Sequence, residues 1–593
     1  MESPLTGPLT DSLAGSLADA LPGPLAGPLG KLTRQRTAPL ILELDLTDGL
    51  IEVRPPDPLS AIMTRHQPSV TDVLAALRTA RGDDRVKALV VKVGGKPIGL
   101  GVVQELREAV KRFRAAGKPT WAWAETFGEF SAGNVPYYLA TAFDTIFLQP
   151  SGDVGLTGLA VERAFLRGAL DKLGVRMEVG ARHEYKSAAE QLTEQGFTGP
   201  SREATERIAR SVTEQLTAAL AERQAIPSDK ASELVGGGPY VADQALEAGL
   251  VDALGYRDEV YAAVRKQVGN DPALLYLGRY HRSKELANRA RQMTTPRKDA
   301  VALIQAMGAI RRGRNGRSPL TGTAMGSDSI TAALRAATAD AHVKAIVLRV
   351  NSPGGSYVAS DAIWREVVRA RNAGKPVVVS MSDVAASGGY FISMAADAIL
   401  AQPGTVTGSI GVLTGKPVLA DMLGKAGVTT DSIVLGEHAA MFSMSRPFSS
   451  DDWQLVDSWL DRIYADFTGK VAAGRGLSAE RVHELARGRV WTGADALEHK
   501  LVDDIGGVEE AADTARRRAG LPATAPLVHY PRIGPLDRIR PPSNSEDRRA
   551  AALATATGPA LLAESWGPVA QFAARLGLPS AGPLMLPGSW TFH

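Results

Sequence analysis

The chain of 593 residues has no cysteine. Disulfides, a thiolate nucleophile and cysteine-ligated metals are therefore excluded. Long apolar runs are also missing: the longest, such as residues 88–91 and 376–380, are strand-sized, against the roughly 20 residues a membrane-spanning helix needs. No integral membrane segment is expected. Neither charge sign is in excess, since 67 Lys and Arg face 64 Asp and Glu for a net +3, so a nucleic-acid partner is not expected. His483-Glu484 lacks the second histidine of a zinc-peptidase helix, and no Gly-Lys pair lies in a phosphate-loop context. No metal and no cofactor are expected.

What is present begins with two unusual ends. Leu5, Leu9, Leu13, Leu17, Leu21, Leu25 and Leu29 recur at every fourth position among Pro4, Pro8, Pro22, Pro24 and Pro28, and those prolines break any helix. The first basic residue is Lys31, too late for a secretory signal. Residues 1–36 are expected to form a disordered arm, and the protein to be cytoplasmic or peripherally membrane-associated. Residues 526–593 form a C-terminal extension with Pro541-Pro542, the charged run 546–549 and a helix-compatible stretch at 561–576. Its Trp566 and Phe572 are expected to pack on the body or on a neighbouring subunit.

Between the ends one pattern is written twice. Asp84-Arg85-Val86-Lys87-Ala88-Leu89-Val90-Val91 matches Ala341-His342-Val343-Lys344-Ala345-Ile346-Val347-Leu348. Each run has the apolar density of a strand buried on both faces. Helices are expected at 105–116 and 364–373, each ended by Gly-Lys-Pro at 117–119 and 374–376. Strands follow at 120–125 and 377–382. After a shift of four residues, Gln149-Pro150 falls on Gln402-Pro403 and Gly174-Val175 on Gly427-Val428. The repeat spans about 38–265 and 300–517, with a basic, polar linker at 279–298. An α/β architecture of two tandem repeats is expected, with an N-terminal repeat at 37–290 and a C-terminal repeat at 291–525.

The two copies differ where chemistry is available. Ser387, in Ala386-Ser387-Gly388-Gly389-Tyr390, sits at an expected strand-to-helix turn, where small neighbours and free N–H groups suit an oxyanion. The first copy has Asn134-Val135-Pro136-Tyr137 there, a sound helix start without a nucleophile. Conversely, His183-Glu184-Tyr185-Lys186-Ser187 faces Gly436-Glu437-His438-Ala439-Ala440. A lysine occurs only where the serine is absent. Alone, such a serine reads as a helix cap and such a lysine as a surface charge; their complementary loss fits one composite site.

Asn351-Ser352-Pro353-Gly354-Gly355, Ala386 to Tyr390, Thr407-Gly408-Ser409-Ile410-Gly411 and Glu184-Tyr185-Lys186-Ser187-Ala188 together resemble the successive motifs of the signal peptide peptidase A family, in its long, two-repeat form. The resemblance implies a crotonase-like, Clp-protease-like fold with parallel sheets flanked by helices, a homotetrameric bowl, and cleavage of signal peptides left in the membrane. It also implies Ser387 as nucleophile, Lys186 as general base and Ser409 as the hydroxyl orienting the amine. The N–H groups of Gly354 or Gly355 and of Gly388 would form the oxyanion hole. This sequence lacks the amino-terminal anchor of better-known long members, which leaves only peripheral membrane contact as an expectation.

A lysine serves as base only when neutral, and an ordinary pKa leaves roughly one in 2,500 neutral at pH 7. Burial must depress it, at a cost to the fold of roughly 4 kcal/mol for three pH units; an alkaline optimum is expected. Three alternatives stand beside this reading: a Clp-like Ser/His/Asp peptidase using His438, an acyl-CoA enzyme on the same fold, and an inactive peptide-binding scaffold.

Overall fold

The computed structural model describes residues 38–53, 64, 66–269, 271–294, 297–318, 322–531 and 584–585. The arm at 1–36, the stretch at 561–576, Trp566 and Phe572 lie outside the described residues.

Apolar runs of the kind found at Val343–Ser352 can be covered on both faces only by helices, and the structure does this twice. The first sheet is wholly parallel, in the order Ala253–Leu254, Thr145–Leu148, Thr120–Ala124, Val86–Lys92, Leu40–Asp45 and Ala273–Tyr276. In the second, Asp504–Ile505, Ala398–Ala401, Val377–Ala386, Val343–Ser352, Ala300–Met307 and Leu527–His529 follow one another in the same order. Equivalent side chains carry equivalent bonds. Tyr137 donates to Leu250 O at 2.8 Å and Tyr390 to Leu501 O at 2.9 Å. The lysine of each Gly-Lys-Pro is structural, since Lys118 donates to the carbonyls of Ala80 and Asp83, and Lys375 to those of Ala337 and Asp340. Each ties the start of the strand that follows it to the C-terminal end of an earlier helix, Val70–Arg81 in the first half and Ser327–Ala339 in the second, where a cation is favoured.

Four expectations shift. The helices at 105–116 and 364–373 run as Leu100–Ala115 and Tyr357–Asn372; the second starts early because Ser356 Oγ caps Ala359 N. The linker at 279–298 is mostly a helix, Leu277–Thr294, which packs on Val70–Arg81 by burying Leu277 and Tyr280. The strand expected to end near 382 continues to Ala386 by changing partners: residues 378–380 pair with Ala398–Leu400, and residues 384–386 with Val406–Gly408. Beyond Ser387 the helix is one turn, Gly388–Phe391, followed by turns to Ala396.

The halves share one core. Leu77, Leu106 and Phe113 of the first half lie in the same buried cluster as Leu303, Val347 and Val378 of the second. They also share a ribbon, in which Arg176–Arg182 pairs antiparallel along its whole length with Val412–Val418. Ser409 lies just before one strand and Lys186 just after the other, so this register draws them together.

Candidate active site

The ribbon delivers Lys186 into a tight turn, with Lys186 N donating to His183 O at 3.1 Å. The turn is stitched to the second half by Tyr185 N donating to Arg487 O. Within that half Gly488 N donates to Ile410 O and Ser409 N to Arg489 O, which holds the segment around Ser409 against 487–489. Gly488 lies so close beneath that a Cβ would stand 2.5 Å from Lys186 Cα, and its φ is +87°. Only glycine fits there. Sequence reasoning missed Gly488, because nothing in a single chain marks a close approach between segments three hundred residues apart.

Lys186, Ser387 and Ser409 are all buried, at 5%, 0% and 0% exposure. Lys186 Nζ lies 2.9 Å from Ser387 Oγ, 3.0 Å from Ser409 Oγ and 3.0 Å from Ser409 O. No carboxylate contributes to its titration: burial alone pushes the ammonium down to about 7. About half the molecules then hold a neutral amine at pH 7. Ser387 has φ +55° and ψ −113°, a strained conformation for a residue with a Cβ. It is held by Ser387 N donating to Gly408 O at 2.8 Å. A neutral amine in contact with a buried hydroxyl can take its proton, and the Ser409 oxygens leave the lone pair one direction in which to act.

Gly354 and Gly355 stand beside Gly388, where a built Cβ would lie 3.1 Å from both Gly354 Cα and Gly355 N. Their N–H groups differ. Gly354 N donates to Ser352 Oγ at 3.2 Å, while Ser356 N donates to Ile310 O. Alternation along the strand therefore turns Gly355 N to the opposite edge. That edge accepts a strand from the C-terminal extension: Leu584–Met585 pairs antiparallel with Gly354–Gly355.

His438 takes no part. Its Nδ1 lies 2.8 Å from Asp452 Oδ1, within the network that caps the helix Ser450–Arg475. The hydroxyl of Ser387 meets an amine, so the Ser/His/Asp alternative loses its base.

Residues 112–271 and 369–522 each match peptidase family S49, and residues 322–403 match the Clp protease family. The chain belongs to peptidase family S49. It is a serine-type peptidase built on two tandem S49 repeats with a Clp-protease-like α/β fold. Among relatives, Protease 4 of Haemophilus influenzae is 32% identical over 81% of this chain and 78% of its own. Serine protease SPPA, chloroplastic, of Arabidopsis thaliana is 31% identical over 74% of this chain and 64% of its own. A putative signal peptide peptidase SppA of Enterococcus faecium is 35% identical over 32% of this chain and 55% of its own.

Proposed function

We propose that this S49 peptidase cleaves signal peptides and similar short apolar peptides through a Ser387–Lys186 dyad. The observation that carries the reading is the 2.9 Å contact between Lys186 Nζ and Ser387 Oγ in a buried setting. In the proposed cycle, neutral Lys186 removes the Ser387 proton as Oγ attacks the scissile carbonyl. Gly355 N–H and Gly388 N–H hold the oxyanion, and Gly354, already bonded to Ser352, does not. Lys186 then protonates the leaving amine, and water resolves the acyl-enzyme by the same route. Ser409 keeps the amine aimed at Oγ. The substrate lies extended on the Gly354–Gly355 edge, in the manner of Leu584–Met585.

Self-association belongs to the same reading. By the repeat, residues 428–435 correspond to the strand Arg176–Arg182 with its preceding residue, and residues 159–165 correspond to the strand Val412–Val418. In the second half that strand equivalent has no ladder partner among the described residues, and Ile433 and Leu435 are 95% and 88% exposed. Segment 428–435 of one copy on segment 159–165 of the next repeats the intramolecular ribbon. Head-to-tail contacts form a ring when the rotation between copies closes, and a closed homotetramer is the assembly proposed. Ile433→Lys with Leu435→Glu should then give a monomer in light scattering.

The test of function is labelling by a fluorophosphonate with peptide mapping, together with cleavage of a synthetic signal peptide. Modification at Ser387 and loss of cleavage after labelling are expected. A chain that cleaves the peptide while Ser387 stays unmodified would refute the dyad.

A further inference from the structure

The helix Leu100–Ala115 of the lysine-bearing half begins at Gly99, which offers no side chain to cap it. Its first N–H groups would be left without partners. The cap comes from the other half: Asp383 Oδ1 accepts from Val102 N at 3.1 Å, and Gly101 N–H also reaches this carboxylate. The fit requires glycine, since a Cβ on Gly99 would lie 2.1 Å from Asp383 Oδ2 and one on Gly101 2.8 Å from Ser382 O.

Asp383 occupies the point where the strand Val377–Ala386 leaves Ala398–Ala401 and joins Val406–Gly408. Val384 N, the next donor, bonds Asn351 Oδ1 at 3.3 Å. The same helix also holds the neighbouring turn, because Gly404 N donates to Gln104 Oε1 at 2.7 Å. The segments leading to Ser387 and to Ser409 are thus both anchored on one helix of the half that supplies Lys186. Burial and the charge of Glu52 push the Asp383 carboxyl up to about 6, against the pull of the two N–H groups and Arg349. It remains mainly an anion at neutral pH, the form that suits a helix N-terminus.

We propose that Asp383 is a positioning residue for the Ser387–Lys186 pair: by capping Leu100–Ala115 it fixes the bend from which Ser387 is presented to the lysine-bearing half. Loss of the cap lets that bend relax, and the hydroxyl drifts from the amine while the edge at Gly354–Gly355 stays in place. The inference rests on the dyad reading.

The full chain is compared with Asp383→Ala, Asp383→Asn and Gly99→Ala. The measurements are the second-order rate of fluorophosphonate labelling at Ser387 per folded molecule, and kcat and KM on one peptide. Asp383→Ala should slow labelling and kcat together by about tenfold or more, with KM changed less than about twofold. Asp383→Asn, which keeps an acceptor oxygen, should restore most of the rate. Gly99→Ala, which displaces the carboxylate without removing it, should behave as Asp383→Ala does. Should Asp383→Ala fail to fold, the other two variants decide by the same criteria. Wild-type labelling rates per folded molecule in Gly99→Ala and Asp383→Ala, or a rise in KM at constant kcat, would overturn the proposal. A wild-type chain that does not label at Ser387 would remove the dyad reading, and this inference with it.

Discussion

Replacing Lys186 by methionine should destroy activity and yet stabilise the folded chain at neutral pH. Lys186 is 5% exposed, and burial carries its pKa from 10.5 to about 7. The folded state therefore binds fewer protons than the unfolded chain between those values, and stability rises with pH across that window. Below about pH 7 the penalty is present in full, roughly 5 kcal/mol from the difference in pKa. Methionine removes the penalty but also three contacts of the amine, with Ser387 Oγ, Ser409 Oγ and Ser409 O. At about 1 kcal/mol each these offset part of the gain. The net stabilisation should be about 2 kcal/mol near pH 6.5 and should turn into a loss of about 3 kcal/mol as pH approaches 10.5.

Urea midpoints of the wild type and Lys186→Met, taken at pH 6.5 and at pH 10, read this difference directly. A sign change between the two is the expected result. A difference that stays constant with pH would mean that Lys186 titrates alike in the folded and unfolded chains, and the base assignment would fail with it. The stability test discriminates better than a pH–rate profile, because a lysine at about 7 and an ordinary histidine give similar kinetic limbs.

Ser387→Ala and Lys186→Ala should each lower peptide cleavage by at least about a hundredfold, with the double variant no worse than the single ones; residual activity above about a hundredth in either would contradict the dyad. With Lys186 at about 7, kcat/KM should rise along a limb centred there and flatten above it, at lower pH than the alkaline optimum of a less buried lysine; Ser409→Ala should shift this limb. Arg349→Met should cost about 3–5 kcal/mol, because it strands the buried Glu105 beside Glu52; adding Glu105→Gln should recover part of that in the urea midpoint. Deleting residues 532–593 removes the strand that covers Gly354–Gly355 and should lower KM for an unlabelled peptide; an unchanged KM would mean that substrate does not use this edge.

The duplication was legible because strands buried on both faces repeat their apolar runs, and because Gly-Lys-Pro ends the same helix twice. Helix starts were less so. Leu100–Ala115 begins five residues before the expected start because its cap is Asp383, a residue 283 positions away, and no local pattern records a partner of that kind. The helix Leu277–Thr294 hid behind its basic composition, since two buried side chains, Leu277 and Tyr280, suffice to seat it. Ser387 and Lys186 could be picked out by comparing the copies, each missing what the other has. Gly488 and the pairing of Arg176–Arg182 with Val412–Val418 could not, since both exist only as contacts between halves.

Those contacts bear on when the chemistry is available. The second half supplies close contacts to Lys186 and its turn: the backbone at Arg487 and Gly488, the oxygens of Ser409, and Ser387 itself. With the halves apart, the lysine would lose this cover and its pKa would rise towards the ordinary value, at which roughly one molecule in 2,500 holds a neutral amine at pH 7. Ser387 would likewise lose the proton acceptor beside it. Packing the halves therefore does two things in one step, bringing the hydroxyl to the amine and depressing the amine's pKa by desolvation. A single-copy site could bury its own lysine in advance of substrate. Here the roughly 5 kcal/mol cost of that burial falls on the interface between the halves, which must be stable enough to bear it. The shared apolar core, the seven-residue ribbon and the Glu105–Arg349 pair supply that stability.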